Sequence, residues 1–226
     1  FSELVAEPTD IFPTVPVDEA DHAVIFYTSG KTGRPKGAIS THRSMVANLQ
    51  NTVFLLTSSS MAQAAASEGD QEEGSLVPPS GQPVALFTAP LFHVAGCHST
   101  LVVGLMGGLK LVMLEGRFEP TKALSLIESE GVTLWTAVPT MVWRVCEAPE
   151  RHDYDTTSVI SVSFGGSPSA EEMQRRVRET FPNLKATTNA YGLTESSSVA
   201  TTLTGADSLR KPTSVGLPMP TVDLAI

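Results

Sequence analysis

The sequence predicts an α/β domain with a largely parallel sheet covered by helices, and three observations lead there. From residue 84 onward, short apolar runs alternate with stretches carrying apolar residues at helical spacing. Glycine or proline punctuates most boundaries between them. Each polar cluster of unusual composition directly follows an apolar run, which is where open α/β sheets bind ligands. A chain of 226 residues is also long enough to bury a substantial core.

Taken in order, residues 1–20 are acidic, contain Pro8, Pro13 and Pro16, and read as a linker or edge segment. Ala23–Tyr27 is a compact apolar and aromatic run with the pattern of a buried strand. Ser40 or Thr41 can cap a following helix with Met45, Val46, Leu49 and Val53 at helical spacing. Residues 57–83 turn to serine, alanine, acids and Pro78-Pro79, the composition of a solvated, mobile loop. Val84–Thr88 reads as a strand, and a helix through Leu101 and Leu105 closes at Gly107-Gly108. Lys110–Leu114 is a strand, and Pro120–Glu130 a helix with Leu124 and Ile127 inward, ended by Gly131. Strand Val132–Ala137 precedes Val138-Pro139-Thr140 and a helix bearing Met141, Val142 and Val145. Strand Val159–Phe164 precedes Gly165-Gly166-Ser167-Pro168, where Ser167 suits an N-cap and Pro168 the first helical position. That helix passes Met173 and Val177 to Pro182, and strand Lys185–Asn189 leads to Tyr191-Gly192-Leu193-Thr194-Glu195.

Composition excludes several functions. A net charge of −9 argues against nucleic acid or an anionic membrane as the main partner. Cys97 and Cys146 form no spacing motif, so neither a disulfide framework nor a zinc site is expected. The longest apolar run, Leu101 to Leu114, is interrupted by Lys110 and too short to span a bilayer. With no signal peptide, a cytoplasmic setting is expected. Charged residues make up only 17%, below the usual quarter, as though missing segments cover part of the surface.

The chemistry concentrates in Tyr27-Thr28-Ser29-Gly30-Lys31-Thr32-Gly33-Arg34-Pro35-Lys36-Gly37. Glycines let backbone N–H groups approach an anion, while the hydroxyls and ammonium groups supply charge-assisted hydrogen bonds of about 1.5–3 kcal/mol each. Such a cluster serves either as a phosphate cradle or as a plain hairpin loop. A Walker-type loop is excluded by spacing, because its first glycine would fall at Ile25. Gly165-Gly166 either admits a flat ligand against the backbone or makes a tight turn. Tyr191, Thr194 and Glu195 could stack on a base, bond a phosphate and hold Mg²⁺, or could form a surface turn.

The stretch Tyr27–Gly37 resembles the phosphate-binding signature of the adenylate-forming enzymes, Y/F-T-S-G-T/S-T-G-x-P-K-G, departing from it at Lys31. Gly165–Pro168 resembles the G-G-A/S-P segment of that family, Tyr191–Glu195 its Y-G-x-T-E signature, and Ser214–Pro218 its S-V-G-x-P stretch. Pro90–Gly96 resembles the P-L/M-F-H-x-x-G element of its acyl-CoA synthetase branch. The resemblance implies that 21–226 is the central part of a large N-terminal AMP-binding domain, with 203–226 opening a β-barrel portion and the C-terminal domain absent. It implies ATP, Mg²⁺ and coenzyme A as reaction partners of a carboxylic acid. ATP would lie on Thr28, Ser29, Gly30, Lys31, Thr32, Gly33 and Lys36, on Gly165, Gly166 and Ser167, and on Asn189, Ala190, Tyr191, Gly192 and Thr194. His93, Val94, Gly96, Val138 and Gly166 would border the acid, Glu195 would hold the metal, and His93, Lys36, Thr194 and Glu195 would carry the catalysis. Residues 85–99 contain no acidic side chain to pair a substrate ammonium, which favours a fatty or other non-amino acid. The family's Y-x-T-G-D segment and its catalytic-lysine domain do not follow Ile226, so this piece is expected to be inactive alone. An adenylation domain serving a carrier protein and a non-enzymatic nucleotide-binding module are the alternatives.

Overall fold

A computed structural model describes residues 14–30, 33–66, 81–165, 171–211 and 213–225. Within them lies a seven-stranded sheet, ordered β4-β3-β5-β6-β7-β8-β9, and a separate two-stranded sheet, β1-β2. The large sheet is built from β3 (Val84–Phe87), β4 (Lys110–Met113), β5 (Leu134–Ala137), β6 (Ser161–Gly165), β7 (Ala186–Leu193), β8 (Ser198–Thr204) and β9 (Leu217–Pro218). Strands β4, β3, β5, β6 and β7 are mutually parallel, and β8 and β9 continue the sheet antiparallel.

Helices α4 (Pro120–Glu130), α5 (Pro139–Cys146) and α6 (Glu171–Thr180) connect the parallel strands and pack side by side. The core forms beneath them. Leu124, Ile127, Val142, Val145, Val177 and Phe181 meet Leu86, Trp135, Val162 and Phe164, all essentially fully buried. Trp135 stacks edge-on against Phe181, and its indole N–H reaches Thr88 Oγ1 at 3.3 Å. The inward pairing of Leu124 and Ile127 follows from their spacing, and Gly131 ends the helix in the left-handed conformation as its position suggested.

Several expectations are corrected. Ala23–Tyr27 lies inside β1 (His22–Thr28), yet β1 pairs antiparallel with β2 (Lys36–Thr41) and stands outside the parallel sheet. Its alternation is one-sided: Phe26 is buried while Ile25 and Tyr27 are exposed. The loop expected over 57–83 begins late, because α1 (His42–Ala66) continues through 57–66, where alanine, methionine and glutamine favour helix. The remainder of that segment, 67–80, lies outside the described residues, as do 1–13 of the expected linker. Val46 and Val53 share the predicted helical spacing but face outward, and Asn48 and Asn51 are the buried residues. Asn51 explains part of that choice, since its amide donates to Thr221 Oγ1 at 2.8 Å. Strand β8 was not foreseen, and it and β9 extend the sheet to seven strands.

Among the described residues no helix is long and apolar enough to cross a membrane. Both cysteines are free.

Truncating Ile127, which is wholly buried, should cost about 2–5 kcal/mol in Ile127→Ala, whereas Val46→Ala should change stability by less than about 0.5 kcal/mol. Urea denaturation midpoints at constant m-value measure both.

Candidate active site

The strand order β4-β3-β5 makes the chain leave β3 in one direction and continue from β5 in the other. A crevice beyond the carboxyl ends of such strands is the usual ligand position in an open α/β sheet. Two predicted site segments follow these two strands directly. After β3 comes Pro90–His93, where His93 caps α2 (Val94–Gly96) and accepts the Ala95 N–H at 3.1 Å on Nδ1. Accepting at Nδ1 puts the ring hydrogen of the exposed His93 on Nε2, free to donate to an anionic oxygen. After β5 comes Val138, which is 38% exposed and leads into α5. Val94 and Gly96, expected at the same pocket, are buried; Val94 is 5% exposed and serves packing.

Strands β6 and β7 place Gly165 directly opposite Ala190, with the exposed Tyr191 next in line. These three residues form one edge on which a flat ring could lie. Asn189 is turned inward instead, 2% exposed, with its amide on the Ser214 carbonyl at 2.8 Å and its Oδ1 without a partner. Tyr191, Gly192 and Leu193 belong to β7 itself, so the predicted turn is confined to Thr194 and Glu195, ahead of β8. Gly166 and Ser167, with the predicted cap of α6, lie outside the described residues, as do Lys31 and Thr32.

The stretch expected to bind phosphate lies at the tip of the β1-β2 hairpin, closed by the Thr28–Lys36 pairing. A plain hairpin loop and a phosphate cradle were alternatives; geometrically it is a hairpin, and that leaves its chemistry intact. Gly30 takes φ +61°, and a Cβ there would stand 2.3 Å from the Arg34 carbonyl oxygen, so the tip requires glycine. The Gly33 N–H closes the turn on the Gly30 carbonyl at 3.2 Å. Ser29, Gly33 and Lys36 are exposed and Thr28 half-buried, an array of one hydroxyl-rich edge and one ammonium.

What joins this hairpin to the large sheet is a hydroxyl cluster. Ser197 Oγ lies 2.8 Å from Ser40 Oγ at the end of β2 and 3.0 Å from Ser44 Oγ in α1. Thr41 and Ser44 cap α1 reciprocally, each accepting the other's backbone N–H, at 3.0 and 3.2 Å. The Ser197 carbonyl meets His98 Nδ1 at 3.1 Å, and Ser198 hydrogen-bonds Ser99. His98 and Ser99 belong to the π-helical stretch Cys97–Val102, which continues α2 into α3 (Val103–Met106). Burial pushes the neighbouring Cys97 thiol up, which argues against a nucleophilic role.

Ser197 and Ser198 hold positive φ values of 56° and 128°, uncommon for serine. Gly192 makes room for them, since a Cβ on it would stand 1.9 Å from the Ser198 carbonyl oxygen. The hairpin, the Thr194–Glu195 turn and the helix capped by His93 thus meet at Ser197. Sequence reasoning passed over His98, Ser44 and Ser197; the signal available was the serine run that follows Glu195. A cavity of about 260 Å³ adjoins the junction, lined by Thr41, Ser44, Asn48, Asn51 and Ser196 among others, none of them a predicted ligand contact.

Comparisons with known proteins identify the family and the fold. A family model described as AMP-binding enzyme matches residues 2–226. The chain is 34% identical over 200 residues to 4-coumarate–CoA ligase CCL1 of Humulus lupulus, an alignment covering 88% of this chain and 33% of the relative. It is 31% identical over 199 residues to 4-coumarate–CoA ligase 2 of Solanum tuberosum, with the same coverage. The N-terminal domain of FACL13 from Mycobacterium tuberculosis superposes with a TM-score of 0.74 at 27% identity, covering 97% of this chain and 48% of that one. The o-succinylbenzoate CoA synthetase MenE of Bacillus subtilis, solved with ATP and magnesium ion, gives 0.68 at 26% identity, covering 97% and 40%. The chain spans about a third of the length of these curated relatives.

Gly192→Ala should destabilise the chain by about 1–3 kcal/mol, because the new methyl group cannot share space with the Ser198 backbone. Gly108→Ala, at φ +62° with open space around it, should cost about 1 kcal/mol from backbone strain alone. Urea titration of the two variants ranks them.

Proposed function

The chain belongs to the AMP-binding enzyme family, and from that premise we propose that it forms the ATP- and carboxylate-gripping part of an acid–thiol ligase. In the proposed reaction a carboxylate oxygen attacks the α-phosphorus of ATP, and the bond to the bridging oxygen of the leaving pyrophosphate breaks. The products are acyl-AMP and pyrophosphate. The thiol of coenzyme A then takes the acyl group and releases AMP.

The single observation that carries this reading is the meeting of three motif-bearing elements at Ser197. Thr28, Ser29, Gly30, Lys31, Thr32, Gly33 and Lys36 hold the β- and γ-phosphates. Tyr191 stacks on the adenine, with Gly165, Gly166, Ser167, Ala190 and Gly192 around it, while the buried Asn189 supports the strand through Ser214, and Thr194 takes the α-phosphate. The exposed Nε2–H of His93 orients the attacking carboxylate beside Val138 and Gly166, with Val94 and Gly96 fixing the position of His93 from below. Positioning and charge neutralisation, not covalent chemistry, are the residues' work.

Glu195 fits a magnesium ion. Among the described residues there is no cluster of three or more ligating side chains, and Mg²⁺ is commonly held by one or two carboxylates together with substrate phosphates. A single exposed carboxylate on the Thr194–Glu195 turn suits that arrangement. Once bound, the ion would neutralise charge developing on the phosphate oxygens.

The absence of an acidic side chain in residues 85–99 supports a fatty or aryl acid without an α-amino group. Two free cysteines suit a reducing, cytoplasmic setting.

Thermal denaturation with Mg·ATP tests the reading. At ten times the dissociation constant the nucleotide should add about 1.4 kcal/mol and raise Tm by about 3–5 °C. Glu195→Gln should lose the magnesium-dependent part of that shift. No shift at millimolar Mg·ATP contradicts the assignment. In the full-length protein, ATP–pyrophosphate exchange should respond to a fatty or aryl acid and not to an amino acid.

A further inference from the structure

His98 is 1% exposed and has no part in the chemistry assigned above. Its Nδ1 faces the Ser197 carbonyl oxygen at 3.1 Å, and a carbonyl only accepts, so the ring carries a hydrogen there. Its Nε2 is buried without a partner. The ring stands edge-on to Phe26 of the hairpin, centroids 5.1 Å apart. Leucine or phenylalanine would fill this volume without stranding a polar nitrogen. What an apolar side chain could not supply is the hydrogen bond to Ser197.

That bond falls on a strained piece of chain. Positive φ at two successive serines persists only where the neighbours over-determine the backbone. Here the Ser197 N–H donates to the Thr194 carbonyl at 3.1 Å, and the Ser196 N–H to the Leu193 carbonyl at 3.2 Å. The position of Ser197 therefore sets the turn that carries Thr194 and Glu195. Its hydroxyl is held at the same time by Ser40 and Ser44, beneath the phosphate hairpin.

We propose that His98 is a positioning residue: through the Ser197 peptide its Nδ1–H fixes the Thr194–Glu195 turn against the phosphate hairpin. It touches no substrate. The proposal rests on the assignment of Glu195 to the metal and of the hairpin to the phosphates. The effect is transmitted from the helix capped by His93, so one ring ties the acid-binding side of the site to its metal-binding side.

Side-chain amides separate the two ring nitrogens. His98→Asn can place an N–H where Nδ1 was, whereas His98→Gln reaches the position of Nε2, and His98→Leu supplies volume alone. Two readouts are needed. The first is amide hydrogen exchange at Ser196 and Ser197 in the ligand-free chain, with Val84–Phe87 as the control for global stability. The second is the gain in ATP affinity on adding Mg²⁺, measured by calorimetry. His98→Gln and His98→Leu should each speed exchange at Ser196 and Ser197 by about tenfold and cut the magnesium gain by about fivefold, with Val84–Phe87 unchanged. His98→Asn should stay within about twofold of the parent in both. A purely structural role would move global protection and leave the magnesium gain of the folded variants unchanged. The proposal is overturned if His98→Asn is as defective as His98→Leu, if neither His98→Gln nor His98→Leu changes local exchange, or if all three variants lose the control protection together. A parent chain that binds no Mg·ATP while His98→Gln still loosens Ser196 and Ser197 would overturn the Glu195 assignment and the positioning role with it, leaving only a structural bracket.

Discussion

A small cluster of contacts around the Ser197 hydroxyl ties the β1-β2 hairpin to the large sheet. The β1-β2 hairpin shares no strand pairing with the seven-stranded sheet, so its attachment cannot come from a backbone ladder. It comes from Ser197 Oγ, wedged between Ser40 and Ser44, and from Phe26 against His98. Each neutral hydrogen bond contributes about 0.5–1.5 kcal/mol, comparable to the about 1–3 kcal/mol that one strained backbone residue costs. No single contact therefore holds Ser197 in place; the hydroxyls, the histidine and the room left by Gly192 act together. Removing any one leaves the others bearing the strain of two serines at positive φ.

The parallel part of the sheet supplies the second half of the arrangement. Because β3 and β5 are adjacent and parallel, the segments that carry His93 and Val138 leave the sheet at the same end. The Gly165–Ala190 pairing then continues the rim towards Tyr191. Leu124, Ile127, Val142 and Val177 keep this rim rigid from behind, since α4, α5 and α6 are anchored on the strands by wholly buried side chains. Loops that carry polar chemistry can vary in conformation while their strands cannot.

The parallel βα units were legible because their signals are local. Pro120 at a helix start, Gly131 past its end and the Leu124–Ile127 spacing each determine structure within one or two turns. A hairpin was one of two readings of the loop, but strand β2 itself was not legible, for a reason of the same kind. Lys36–Thr41 is mostly small and polar with a single large apolar residue, and its pairing partner lies across a loop rich in turn residues, so its strand character comes from β1. Strand β8 hides behind serines and threonines, and its register depends on how closely Gly192 admits the Ser198 backbone. On α1, apolar spacing suggested burial of Val46 and Val53, but Asn48 and Asn51 take the inner face; the hydrogen bonds of Asn51 to Thr221, 170 positions away, cannot be read from the helix alone. The motif-bearing segments can be picked out in the sequence, whereas the cluster that unites them cannot, because Ser40, His98 and Ser197 are brought together only by the tertiary fold.

In the proposed function the hairpin and the Thr194–Glu195 turn grip one ligand as a unit. A double-mutant cycle on Mg·ATP affinity, using Lys36→Ala, Glu195→Ala and the pair, measures that union directly. A shared ligand should give a coupling energy of about 0.5–3 kcal/mol between the two positions. Strictly additive losses, with coupling below about 0.3 kcal/mol, would mean that the two elements act on separate ligands or on none.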